Sequence, residues 1–196
     1  MFKRKKQING MYEKPFWLRL SWSILQAVLI VAVFSFIVRE FMFTNYIVYG
    51  QSMMPTIRDG ERIIVNKIGY DFMEPERFDL IIFHADEESD YIKRIIGLPG
   101  DDLYYEADTL YVNGEPVEEE FLEESRTENG SDYFTDDFQL EDLTDEQTVP
   151  DGHVFVLGDN RQNSIDSRQI GYVPMEEIVG RANMAFWPPE SIRFIR

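Results

Sequence analysis

Two residues of this 196-residue chain could do covalent chemistry together. They are Ser52, in Gly50-Gln51-Ser52-Met53-Met54-Pro55-Thr56, and Lys93, in Tyr91-Ile92-Lys93-Arg94-Ile95-Ile96. A serine hydroxyl becomes a nucleophile only when a base takes its proton, and a lysine is a base only when uncharged. Ile92, Ile95 and Ile96 surround Lys93 in sequence, and apolar surroundings disfavour an ammonium. The usual base is scarce: the only histidines are His84 and His153, each beside an apolar run where a lone histidine is ordinarily structural. Cysteine is absent, which removes thiolate nucleophiles, disulfides and thiolate zinc sites together. The chemistry expected is hydrolysis by a serine–lysine pair, with no cofactor and no metal.

Magnitudes decide whether lysine can serve. At a pKa of roughly 10.4, about one lysine in 2,500 is neutral at pH 7; at roughly 8, about one in ten. That shift corresponds to about 3 kcal/mol. Both segments look built to hold their side chains. Gly50 permits close approach beside Ser52, and Pro55 fixes the exit turn. Gly97-Leu98-Pro99-Gly100-Asp101 predicts a tight turn directly after the Lys93 strand. A third block, Gly158-Asp159-Asn160-Arg161-Gln162-Asn163-Ser164-Ile165-Asp166-Ser167-Arg168, is dense in hydrogen-bonding side chains and follows the apolar run His153–Leu157. It predicts a loop that lines a site.

The elements that must position these blocks read as strands. Tyr46–Tyr49, Arg62–Asn66, Asp79–Phe83 and His153–Leu157 are short runs rich in β-branched and aromatic residues, each ending at turn-forming residues. Leu110–Val117 carries Asn113-Gly114 between short apolar runs, a hairpin signal. A helical turn or two near Met175–Val179 is the one helical period expected after residue 39. The expected fold class is mainly β, an antiparallel multi-sheet catalytic domain behind one N-terminal transmembrane helix. Between Glu115 and Glu146 stand fourteen acids and one base, Arg126. This acidic insertion lacks the spacing of a calcium loop. Phe121, Leu122, Tyr133, Phe134, Phe138 and Leu140 predict that it packs against the domain.

Leu20–Val38 is nineteen residues without a charge, about 28 Å as a helix, close to the thickness of a bilayer's hydrocarbon. Lys3, Arg4, Lys5, Lys6, Lys14 and Arg19 precede it against the single acid Glu13. The positive-inside rule then predicts a cytoplasmic N-terminus at 1–19, a single membrane pass at 20–38 and an extracytoplasmic domain at 39–196. Bulky residues from Arg39 to Asn45 disfavour a cleaved leader, so the segment is expected to remain as an anchor. Six bases against one acid sum to +5, which leaves −22 of the net −17 for the rest of the chain. So acidic a domain would repel phosphates, and no nucleic-acid partner is expected.

The three blocks together resemble bacterial type I signal peptidase, in its Gram-positive-like single-anchor form. The resemblance runs from the anchor to about Arg181. It rests on Ser-Met-x-Pro-Thr, Tyr-Ile-Lys-Arg-x-x-Gly-x-Pro-Gly-Asp and Gly-Asp-Asn-Arg-x-x-Ser-x-Asp-Ser-Arg, in that order. It implies a membrane-bound serine endopeptidase that removes signal peptides from exported preproteins after small residues in an Ala-x-Ala-like pattern. Ser52 then matches the nucleophile, and its backbone N–H an oxyanion donor. Lys93 matches the general base, and Ser164 a hydroxyl that orients it. Asp166 and Arg168 match an ion pair that braces the site together with Arg94. Asp159, Asn160 and Arg161 match the loop wall. Tyr46, Val48, Met53, Tyr91 and Ile92 are expected to line the small-residue pockets. Gly50 stands where some relatives have a serine that contributes to the oxyanion hole. The partners implied are preprotein signal peptides, the lipid bilayer and, by proximity, the secretion machinery. Two other readings are a self-cleaving serine–lysine repressor and an inert membrane-tethered binding domain. The anchor and acidic domain argue against the first, and the presence of both Ser52 and Lys93 against the second.

Overall fold

The computed structural model describes residues 16–41, 43–67, 74–86, 88–129, 134–144 and 146–195. Residues 1–15 of the basic N-terminal segment, and Tyr133 of the acidic insertion, lie outside them. The chain divides into two compact units, Met1–Glu40 and Phe41–Arg196.

The described part of the first unit is one helix, α1 (Phe16–Phe41, 26 residues), with no glycine or proline to break its hydrogen bonding. Its described side chains, Trp17 and residues 20–36, are all exposed, among them Ile30 at 68% and Phe34 at 66%. Among the described residues, no helix is long and apolar enough to cross a membrane. The side chains of Ile37 and Val38, the end of the expected anchor, are outside that set.

The second unit is built on antiparallel strands. The larger sheet has the order β1 (Phe43–Ile47), β2 (Arg62–Asn66), β11 (Ile178–Trp187), β3 (Leu80–His84), β4 (Asp90–Gly97), β9 (His153–Leu157) and β10 (Val173–Pro174), with β12 (Arg193–Phe194) paired to β11. The smaller sheet runs β7 (Glu115–Val117), β6 (Thr109–Val112), β5 (Leu103–Glu106) and β8 (Phe138–Gln139). The runs expected at 62–66 and 153–157 are strands over those residues, and Asn113-Gly114 joins β6 to β7 with positive φ at both positions, 53° and 82°. The one-sided reading of Tyr46–Tyr49 as strand shifts toward the N-terminus, because the chain leaves the sheet at Val48 to enter the turn of Ser52.

β3, β4 and β9 are covered on both faces, so they read as continuous apolar runs rather than alternating ones. Along β4, Ile95 packs with Ile81, Phe83, Val154 and Val156, whereas Ile96 packs with Leu103, Leu110 and Phe155 beneath the smaller sheet. Each such side chain contributes roughly 1.5–3 kcal/mol by leaving water. A third cluster joins Met53, Ile57, Ile63, Val65, Leu80, Ile82 and Ala185. The acidic insertion packs against the domain as expected: Glu119, Leu122, Phe134, Thr135 and Leu140 are buried. β11 was not foreseen. Its alternation is broken by irregular pairing between Ile178 and Gly180, Ala182 and Met184, and Ala185 and Trp187.

Candidate active site

Ser52 stands in the turn that follows β1. Gly50 adopts φ +96°, a backbone conformation costly for other residues, and its N–H donates to Asp59 Oδ1 at 2.8 Å. Met53 (1% exposed) and Ile57 (0%) point into the core, and Ile57 N–H donates to Met53 O at 2.8 Å. Two apolar anchors and a backbone hydrogen bond thus hold the turn. This corrects one expectation: Met53 is a core residue, and the residues lining the cleft do not include it.

Lys93 approaches from β4, held in register between β3 and β9 by Ile81↔Lys93 and Arg94↔Leu157. The turn beyond it is closed by Leu98 N–H donating to Asp101 Oδ2 at 2.6 Å, and Arg77 pairs with the same oxygen at 3.0 Å. Lys93 is 4% exposed. Its Nζ donates to Ser52 Oγ at 2.9 Å and to Ile92 O at 3.0 Å. Burial brings its pKa down to about 8, against the opposing pull of the Asp166 and Asp159 charges.

The loop 158–168 joins the two. Asn160 N–H donates to Ser52 O at 2.9 Å and Asn160 Nδ2 to Gln51 O at 3.1 Å, so this loop holds the backbone of Ser52. Arg94 does not brace the Asp166–Arg168 pair directly. It forms a separate, fully buried bidentate pair with Asp159, at 2.8 and 2.6 Å. On β4 its side chain takes the face opposite Lys93, as strand alternation requires. Arg168 Nε and Nη2 each donate to Asp166 at 2.8 Å, and Gly158 N–H donates to Asp166 Oδ2 at 3.0 Å. Burial alone would raise the Asp166 pKa, but Arg168 and that N–H outweigh it and hold the carboxyl below its ordinary range. Gly158 has no room for a side chain: a Cβ there would stand 2.2 Å from Ser164 Oγ and 2.6 Å from Ser52 O. Ser164 lies close enough to help keep Asp166 ionised, yet its buried Oγ meets no hydrogen-bond geometry. The expected Ser164–Lys93 hydrogen bond is therefore not made in this structure.

Ser52 and Lys93 open onto a cleft of about 480 Å³. Four of the five expected pocket residues line it, Tyr46, Val48, Tyr91 and Ile92; Ile63, Ile82 and Asp90 are lining residues that were not foreseen. Burial and a hydrogen bond with Asp90 push the Tyr46 phenol up to about 12. Neither histidine lines the cleft: His84 Nδ1 lies 2.6 Å from Asp90 Oδ1 on the exposed side, and His153 Nδ1 lies 3.0 Å from Asp151 O. Among the described residues, no group of three or more His, Asp or Glu could hold a metal ion. The arrangement can move a proton between a hydroxyl and a desolvated amine beside an open cleft of about 480 Å³.

Comparison with known proteins bears on the same region. The family model described as signal peptidase, peptidase S26, matches residues 21–187. A signal peptidase I of Bacillus caldolyticus is 46% identical over 173 residues, covering 88% of this chain and 93% of the relative. Signal peptidase IB of Staphylococcus aureus (strain MRSA252) is 42% identical over 179 residues, covering 89% of this chain and 93% of the relative. The crystal structure of a signal peptidase I from Enterococcus faecalis V583 is 41% identical, with a TM-score of 0.52 over 55% of this chain and 96% of that one.

Proposed function

The chain belongs to the signal peptidase family, peptidase S26, and from that premise we propose that Ser52 is the nucleophile and Lys93 the general base of an endopeptidase that removes signal peptides from exported preproteins. The observation that supports this reading most is the 2.9 Å contact between Lys93 Nζ and Ser52 Oγ, with the amine buried and its pKa near 8. Neutral Lys93 accepts the Ser52 proton as Oγ bonds to the scissile carbonyl carbon. The carbonyl oxygen, now an anion, is stabilised by the Ser52 backbone N–H. Lys93 then returns the proton to the leaving amine, the C–N bond breaks, and an acyl-serine remains. Water, deprotonated by the same amine, hydrolyses that ester and releases the second product.

The substrate lies as an extended strand in the cleft, with small residues against Tyr46, Val48, Tyr91 and Ile92. This fits cleavage after an Ala-x-Ala-like sequence, because larger side chains would meet those walls. The Asp159–Arg94 and Asp166–Arg168 pairs, with Asn160, support the turn of Ser52, and the Ser164 hydroxyl faces the same space. Residues 1–19 form a cytoplasmic segment, 20–38 an anchor and 39–196 the extracytoplasmic domain. The uncharged stretch, the basic residues ahead of it and the exposed apolar surface of α1 support that topology. The bilayer and, by proximity, the secretion machinery are the corresponding partners. The test is cleavage of a preprotein by the full chain and by Ser52→Ala. Processing at the signal-peptide junction by the first alone is expected, and equal processing by both would sink the reading.

A further inference from the structure

Arg161 belongs to the loop that holds Ser52, yet its side chain turns away from the cleft into the second sheet. Its guanidinium is enclosed (2% exposed for the residue) and every nitrogen is used. Nε donates to Gly158 O at 3.1 Å, Nη1 to Tyr105 Oη at 2.6 Å and to Thr135 Oγ1 at 3.2 Å, and Nη2 to Glu119 Oε1 at 2.5 Å. Tyr105 lies on β5, while Glu119 and Thr135 belong to the acidic insertion. Glu119 is itself 3% exposed; its Oε1 accepts from Tyr105 Oη at 2.7 Å, and its Oε2 has Arg126 as an ionic neighbour at 3.6 Å but no hydrogen bond.

A buried ion pair of this kind is weak evidence of stabilisation, because apolar residues of similar volume often stabilise a fold as well or better. Its position points to a different consequence. Arg161 holds Gly158 O through Nε, and Arg161 O accepts from Arg168 Nη2 at 2.7 Å. Gly158 N–H and Arg168 both terminate on Asp166, and the residue between, Asn160, donates to the backbone of Ser52 and Gln51. Fixing one guanidinium therefore fixes the loop that carries the nucleophile's backbone.

We propose that Glu119 is a positioning residue for the peptidase reaction, and that through it the acidic insertion sets the place of the Ser52 turn relative to Lys93. This rests on the assignment of Ser52 and Lys93 as the reacting pair. Glu119 touches neither substrate nor reacting atoms; it acts through Arg161 and Asn160. A displacement of well under an ångström at Ser52 would leave peptide binding in the cleft intact while lengthening the proton-transfer contact.

The experiment compares the full chain in detergent with Glu119→Gln, the exposed control Glu120→Gln, the double variant Glu119→Leu with Arg161→Met, and Ser52→Ala. Each is assayed for thermal midpoint, for kcat and KM on a peptide with an Ala-x-Ala site, and for the pH midpoint of kcat. Glu119→Gln should lose on the order of tenfold to a hundredfold in kcat, with KM within about twofold. Its pH midpoint should not move, because the charges acting on Lys93 are those of Asp166 and Asp159. Glu120→Gln should match the parent. The double variant removes both buried charges but strands Gly158 O, Tyr105 Oη and Thr135 Oγ1; it should still fold, at a lower thermal midpoint than the parent, and should not recover kcat. Parental kcat in Glu119→Gln, or recovery of kcat in the double variant, overturns the proposal. Loss of fold in both variants overturns it as well, since Glu119 would then serve the fold alone. If Ser52→Ala retains turnover, the failure lies with the assigned pair rather than with Glu119.

Discussion

At the scale of single residues, the central quantity is the pKa of one lysine. Burial lowers Lys93 from 10.5 to about 8, so the rising limb of kcat with pH should centre near 8. A limb near 10.4 would show an untuned amine and overturn its role as base. The sign for stability is the reverse of the usual lysine case. The unfolded chain binds the proton more tightly, so the burial cost is fully present below about pH 8 and is relieved as pH rises toward 10.5. Lys93→Met should therefore be inactive yet more stable at neutral pH, by up to about 3 kcal/mol, as measured by chemical denaturation. Lys93→Ala and Ser52→Ala should each cost on the order of a thousandfold or more in kcat. Lys93→Arg should fail equally, because a guanidinium does not deprotonate in a protein. His84→Gln and His153→Gln should leave cleavage close to parental, since both imidazoles stand outside the cleft; a loss as severe as that of Ser52→Ala would restore a histidine mechanism.

At the scale of elements, the loop 158–168 does work that its polar composition hid. It lies beneath the turn of Ser52 and holds it by two hydrogen bonds from Asn160. Asn160→Ala keeps the backbone bond to Ser52 O and loses the one to Gln51 O. It should lower kcat about fivefold with little change in KM, as removal of a hydrogen bond worth about 1 kcal/mol permits. Gly158→Ala should be far more damaging, because its Cβ would stand 2.6 Å from the Ser52 carbonyl oxygen, a backbone atom that cannot step aside without moving Ser52. Steady-state kinetics with a circular-dichroism check of folding would measure both. Parental activity in Gly158→Ala would mean that the loop adapts freely and does not position the turn.

At the scale of the molecule, the chain divides into two compact units, Met1–Glu40 and Phe41–Arg196, and the proposed topology makes the first a tether for the second. Removal of residues 1–38 should leave a domain that cuts short peptides but is markedly weaker on membrane-embedded preproteins, because the gain from shared location is lost. In spheroplasts, external protease should attack the segment 115–146 while a tag at residue 1 stays protected. The opposite pattern would reverse the orientation derived from the basic residues ahead of α1.

Much of this protein was legible in local chemistry. Ser52 beside Gly50, Lys93 among isoleucines, the strands at 62–66 and 153–157 and the Asn113-Gly114 hairpin each depend on residues within a few positions of one another, where propensity and spacing act directly. Partner choice was not legible. Arg94 reaches Asp159, 65 residues away, rather than the Asp166–Arg168 pair, because β4 turns it to the face opposite Lys93. Met53 enters the core and leaves the cleft to Tyr46, Val48, Tyr91 and Ile92, since the turn after Gly50 aims it inward. β11, with its irregular register, takes a central place between β2 and β3, where it pairs with the backbone edge of each. The acidic run between Glu115 and Glu146 supplies a buried carboxylate to Arg161, 42 residues beyond Glu119. Composition tells which residues prefer water. Only the packing of distant strands decides which few of them leave it, and which opposite charge meets them there.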